Sequence, residues 1–315
     1  MAVATERYFE NLKYDTRRAI VTTNQTDTLS NNGCVYKVSD DEFGRPTDIE
    51  YRRRVVLAFD IVFGAARVEI RYTDTSETRH FFGVDNQPLK NTEGVFTEEY
   101  YLDTALGWVL LYNLNRFVDL IENVKGVANF FWIEDDSGYI VREIHRDRQL
   151  HHCKGEIPPL TDFDYDSSRR VIRQSTRSAV QSLANRPEGY AVIDFGYDER
   201  GNRIEERYRD ADSLPCADYT GIYRRRYEYD DRGRITMTSQ YDRNARPVTD
   251  SNGVVRYEYI RSECGEIIAL RHLDERNNLI IDKYQGAAVI EYTYDNLGRP
   301  LKTRYFDVNN SPCMN

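Results

Sequence analysis

Along the second half of the chain, apolar and polar positions alternate over short runs that are broken by turn residues. Ala191, Ile193, Phe195 and Tyr197 take every second place of one run, and Ala288, Ile290, Tyr292 and Tyr294 do so in another. A period of two built from aromatic and β-branched residues predicts a β-strand. Each run ends in Tyr-Asp-x-x-Gly, as at Tyr197, Asp198 and Gly201. The aspartate suits the first position of a type I turn, where its side chain bonds backbone N–H groups. The glycine supplies the positive φ that a tight hairpin needs. Arg203 to Tyr208 and Lys302 to Phe306 then read as returning strands. Pro215, Pro247 and Pro312, five residues after Asp210, Asp242 and Asp307, close their units because proline cannot extend a ladder.

The units recur at a fixed period. Gly189, Gly221, Gly253 and Gly286 are 32, 32 and 33 residues apart, and Gly201, Gly233, Gly265 and Gly298 keep the same spacing. The frame extends upstream through Gly126, Gly138, His145 and Asp147, through Gly64, and through Gly33, Gly44 and Tyr51. Tyr165 and Asp166, Gly94 and Gly107, and a degenerate Tyr14, Asp15 and Asp27 complete about ten copies. These run 1–32, 33–63, 64–93, 94–125, 126–156, 157–188, 189–220, 221–252, 253–285 and 286–315. A lone hairpin cannot bury its own apolar face, so neighbours must stack. The expected fold is all-β: tandem β-hairpins stacked into one elongated, twisted and curved antiparallel sheet. The chain 1–315 then forms a single array, with no segment left for a separate catalytic domain.

YEYDDRGR at 227–234 and YTYDNLGR at 292–299 resemble the bacterial YD repeats of the Rhs type. The chain differs from Rhs proteins in its longer period and in having no toxin domain. The resemblance implies a β-hairpin scaffold that serves as a component or cargo of a larger bacterial assembly.

Composition sharpens this picture in three places. Tyrosine fills 24 of 315 positions, and its ring packs a thin sheet while its hydroxyl stays wet. A net charge of −9 argues against a phosphate-binding surface, so no nucleic-acid partner is expected. No apolar run reaches membrane-spanning length and the first residues are polar, so neither a membrane helix nor a signal peptide is expected, and a cytoplasmic location follows.

Candidate chemistry is sparse. His145, His151, His152 and Cys153 are zinc-ligand types, but His151 and His152 are adjacent in an extended segment, and His145 fills the repeat's tyrosine slot. Asp210/Asp212, Asp242/Asn244 and Asp307/Asn309 have the alternating oxygens of a calcium loop, yet Asx-turn capping explains them as well. Cys153, Cys216 and Cys313 share one phase of the repeat and read as structural. An odd cysteine count without CxxC argues against disulfides. No nucleophile elbow, zincin motif, P-loop or dinucleotide glycine pattern occurs. A non-enzymatic protein with no metal and no cofactor is expected.

From Gly94 to Gly155 the copies lose their consensus and gain both tryptophans. Aromatic anchors are enriched at interface hot spots, so Trp108, Phe117, Phe131 and Trp132 are the candidate partner-binding residues. The run WVLLYNLNRFVDLIENV from 108 fits a strand and a helix equally. The expected function is binding of a protein partner, and self-association is compatible with it. Glycan binding along tyrosine rows and a structural shell or fibre are the alternatives.

Overall fold

The computed structural model describes residues 5–14, 18, 20–26, 33–60, 63–103, 108–153 and 158–313. Every regular element among them is a β-strand, and there are 22. β1 (Glu6–Tyr14) pairs with β2 (Ile20–Thr26), and β3 (Cys34–Asp40) with β4 (Pro46–Arg53), onto which the short β5 (Val56–Leu57) folds back. The next hairpins are β6 (Arg67–Tyr72) with β7 (Ser76–Phe82), β8 (Thr97–Asp103) with β9 (Trp108–Leu114), and β10 (Asn129–Glu134) with β11 (Ile140–Arg146). Then follow β12 (Leu160–Tyr165) with β13 (Val171–Arg177), β14 (Val192–Tyr197) with β15 (Arg203–Arg209), and β16 (Arg224–Tyr229) with β17 (Ile235–Tyr241). β18 (Arg256–Arg261) with β19 (Ile267–Leu273), and β20 (Val289–Tyr294) with β21 (Pro300–Phe306), complete ten hairpins, and β22 (Pro312–Cys313) lies against the end of β21. One hairpin falls in each of the ten sequence copies.

The hairpins pack as two compact units of five. One spans 1–155 and takes in 295–299; the other spans 156–294 and 300–315. Within each, the returning strand of one hairpin pairs antiparallel with the opening strand of the next, as in β4–β6, β7–β8 and β9–β10, and in β13–β14, β15–β16, β17–β18 and β19–β20. Hairpin 1 breaks the rule, because its opening strand β1, not β2, pairs with β3. The run from 108 is strand only as far as Leu114, after which Asn115 opens a turn.

In the second unit burial is concentrated at the connector end of each hairpin and thins toward the tip. Val192 and Ile193 at the start of β14 are buried, while the rest of that strand is half-exposed. Small or branched residues fill the crossover below each opening glycine: Ala191, Ile222, Val254, Ala287 and Ala288. The first unit has a larger aromatic core, in which Tyr14 meets Phe63 edge-on at 5.1 Å and Tyr36 meets Tyr51 at the same separation. Burying each such side chain contributes about 1.5–3 kcal/mol. Cys153, Cys216 and Cys313 are free thiols.

Candidate partner-binding surface

Most of the chemistry-bearing side chains serve the repeat itself. At the hairpin tip, Asp230 Oδ1 accepts from the amides of Arg232 and Arg234 at 3.0 and 2.9 Å, and Asp166 does the same for Ser168 and Arg170. In the connector, Asp210 Oδ1 accepts from the amides of Asp212 and Leu214 at 3.0 and 2.9 Å. Asp218 caps a second connector turn through Thr220 and Ile222. The calcium-like pairs are therefore Asx-turns, with one oxygen of the first aspartate held by backbone. These bonds favour the charged carboxylate: the Arg170 amide holds Asp166, and the Asn202 side chain holds Asp198, below the usual carboxylate range.

In four copies the tyrosine that ends the opening strand ties its hairpin to the preceding one. Tyr197 Oη donates to the Val171 carbonyl at 2.6 Å, Tyr229 to Arg203 at 2.6 Å, Tyr294 to Ile267 at 2.9 Å, and Tyr72 to Pro46 at 2.9 Å. Where the phase carries arginine, Arg261 Nε makes the same bond to Ile235 at 3.0 Å. Tyr197, Tyr229, Arg261 and Tyr294 each sit at a β-bulge, which turns the side chain across the neighbouring strand. Near the connector, a polar side chain reaches forward to the next copy. Asn113, Thr176, Gln240 and His272 contact the carbonyls of Val127, Ala191, Val254 and Ala287 at 2.9, 3.0, 3.2 and 2.8 Å. The last contact requires the Nδ1–H tautomer of His272.

The zinc-type residues do not converge. His145 is buried with Nε2 2.5 Å from Glu143, His151 and His152 are exposed, and the Cys153 thiol points at the Gly126 carbonyl. Burial pushes that thiol up to about 11. Among the described residues no three His, Cys, Asp or Glu side chains form a metal-binding group. Likewise, no helix among them is long and apolar enough to cross a membrane.

Of the candidate partner residues, Phe117, Phe131 and Trp132 have described side chains, and these three are not brought together on one face. Trp132 is fully buried, stacked between Tyr100 at 6.5 Å and Phe130 at 5.9 Å, with Nε1 donating to Glu143 at 2.8 Å. It lies in the interior of its unit. Phe131, next to it on β10, points to the opposite face and is covered by Arg146, whose guanidinium lies 4.9 Å from its ring. Trp108 opens β9 opposite Asp103 and Ile133, and its side chain lies outside the described part. Among the three with described side chains, Phe117 is the open one, at 69% exposure on a connector turn.

Other apolar side chains share that location. Val118, Val124, Val180, Leu214, Tyr219 and Tyr284 are all on connectors and are 60% to 85% exposed. Several accompany a left-handed residue without glycine's freedom: Val118 at φ 69°, Gln181 at 66° and Ser213 at 63°. No glycine marks these left-handed positions in the sequence.

No family model matches the chain, and no curated protein matches it. Among solved structures it is similar to the TcdB2–TccC3–TEV chain at TM-score 0.30 and 12% identity, over 94% of this chain and 16% of that one. It is similar to a chain of the Photorhabdus luminescens Tc holotoxin pore at 0.30 and 13%, over 92% and 16%. A porin-like protein from Bacteroides uniformis aligns at 0.22 and 12%, over 98% and 93%. The chain thus spans 16% of the length of the toxin chains it matches. Likeness at this level says nothing about activity or partners.

Proposed function

We propose that the chain is a non-enzymatic β-hairpin-repeat scaffold of the YD, Rhs-like kind, which binds a protein partner through its connector turns as a component or cargo of a larger bacterial assembly. The observation that carries this reading is that large apolar side chains stand exposed on connector turns, Phe117 and Val118 in the first unit and Leu214, Tyr219 and Tyr284 in the second. A turn on the surface needs polar or small residues, and water gains nothing from valine, leucine or tyrosine there. The reading also draws support from how the polar groups are used. Aspartates cap turns and tyrosine hydroxyls join hairpins, and none of these side chains is left arranged around a substrate-sized centre.

The test is affinity capture from the native host with the wild-type chain and with two paired variants, Phe117→Ser/Val118→Asn and Leu214→Ser/Tyr219→Ser. The scaffold reading expects a stoichiometric partner with the wild type and its loss with at least one variant that keeps the wild-type circular dichroism. Equal recovery with all three chains would move the contact elsewhere, and no partner at any salt would refute the reading.

A further inference from the structure

Hairpin 1, whose opening strand pairs with the next copy, carries an arginine into the interior of its own unit. Arg18, between β1 and β2, has its guanidinium 4.8 Å from the centre of the Phe130 ring. Its Nη2 stands 3.3 Å from Glu93 and its Nη1 3.4 Å from Glu98. Glu143 adds a third negative charge felt at the same guanidinium. The backbone of the same residue is also read, since Arg79 Nη1 donates to the Arg18 carbonyl at 2.7 Å. An aromatic face, a pair of carboxylates and a donor for the carbonyl together fit an arginine residue in a chain, not merely a cation.

The groups that hold Arg18 are braced without it. Glu98, buried, accepts from Asn91 at 3.0 Å and from the Tyr100 hydroxyl at 2.8 Å. Arg79, also buried, donates to Glu77 at 2.5 Å and to Tyr100 at 3.0 Å. Glu143 is fixed by His145 and Trp132. Arg18 itself takes the left-handed φ of 56° that non-glycine residues rarely adopt.

We propose that this pocket is a recognition site for an arginine residue of a partner chain, and that hairpin 1 keeps it closed with Arg18 as an internal ligand. The proposal rests on the partner-binding reading above and names the partner's chemistry: a basic segment presenting arginine. The chain's net charge of −9 favours such a partner at long range.

The full chain carrying Arg18→Ala tests it, with N-acetyl-arginine-N-methylamide as probe and the neutral citrulline counterpart as control. The expected result is a rise in Tm of Arg18→Ala with the arginine probe, at an affinity about tenfold or more above that for citrulline, and loss of that rise in Arg18→Ala/Glu98→Gln. A folded Arg18→Ala that responds to neither probe, or equally to both, overturns the pocket. Should Arg18→Ala not fold, the wild type decides. The Arg18 Nε–Hε signal in an NMR spectrum, assigned with Arg18→Lys, should move to the solvent position as the arginine probe is added and stay put with citrulline. A signal unmoved by saturating arginine probe overturns the proposal. Affinity capture separates this pocket from the wider reading. Arg18→Ala should retain several-fold more partner than wild type, and equal retention overturns the pocket while leaving the scaffold standing. No partner from either chain refutes the scaffold, while the probe titrations judge the pocket independently.

Discussion

The hydroxyl of Tyr229 donates to the carbonyl oxygen of Arg203 at 2.6 Å, across the junction between two consecutive hairpins. The same bond recurs between Tyr197 and Val171 and between Tyr294 and Ile267. It explains why the repeat keeps a tyrosine beside its turn aspartate: the ring spans the bulge and the hydroxyl fastens one hairpin to the last. Removing the hydroxyl while keeping the ring should cost about 0.5–1.5 kcal/mol per site. Tyr197→Phe and Tyr229→Phe are expected to lower the urea midpoint by that free energy divided by an unchanged slope, whereas Arg261→Tyr, which puts tyrosine back into the frame, should leave the midpoint level or raise it.

The contact of His272 Nδ1 with the Ala287 carbonyl at 2.8 Å is deeply buried, with His272 1% exposed. Gln240 makes the equivalent bond to Val254 one copy earlier. His272→Gln should therefore stay close to wild type, while His272→Leu leaves a buried carbonyl unpaired and should cost about 1–3 kcal/mol. Chemical denaturation of the two variants side by side checks this, and equal losses would contradict it.

Val118 holds φ at 69° on an exposed connector turn. A β-branched residue is disfavoured there by roughly 1–2 kcal/mol. Val118→Gly should raise Tm, and under the scaffold reading it should also weaken partner capture, since the apolar surface goes with the strain. At Asn277, left-handed at φ 66°, the reverse change Asn277→Val should lower Tm.

Asp166, Asp198 and Asp274 are held below the usual carboxylate range, Asp166 first by the Arg170 amide and the other two first by the side chains of Asn202 and Asn278. A folded-state pKa below the unfolded one gives stability that is fully present above the unfolded value and is lost as pH falls through the folded value. Tm should therefore be flat near neutrality and fall below about pH 4. Asparagine caps the same turn type at Asn115 and Asn123. The triple variant with asparagine at 166, 198 and 274 should keep the fold and lose part of that acid slope, and an unchanged slope would contradict the assignment.

Much of the architecture was legible because it is periodic. The glycines three residues beyond Asp198, Asp230 and Asp295 all have positive φ, and each of the ten copies holds one hairpin. What periodicity could not show depends on non-local geometry. Trp132 and Phe131 are neighbours in sequence, yet only the sheet's two faces decide that one is interior and the other lies under Arg146. The left-handed connector residues carry no glycine to mark them. The pocket around Arg18 joins hairpin 1 to residues 61 to 112 positions away, a relation that a hairpin repeat's nearest-neighbour logic does not contain.

The central claim is that the connector turns hold another protein, and the most direct measurement is the mass of the native complex. The chain isolated from its host under gentle conditions, followed by light scattering and mass spectrometry, is expected to carry a second, different polypeptide in fixed ratio, and to lose it in Phe117→Ser/Val118→Asn or Leu214→Ser/Tyr219→Ser. A chain that emerges alone, or only with copies of itself, at every salt concentration would contradict the account.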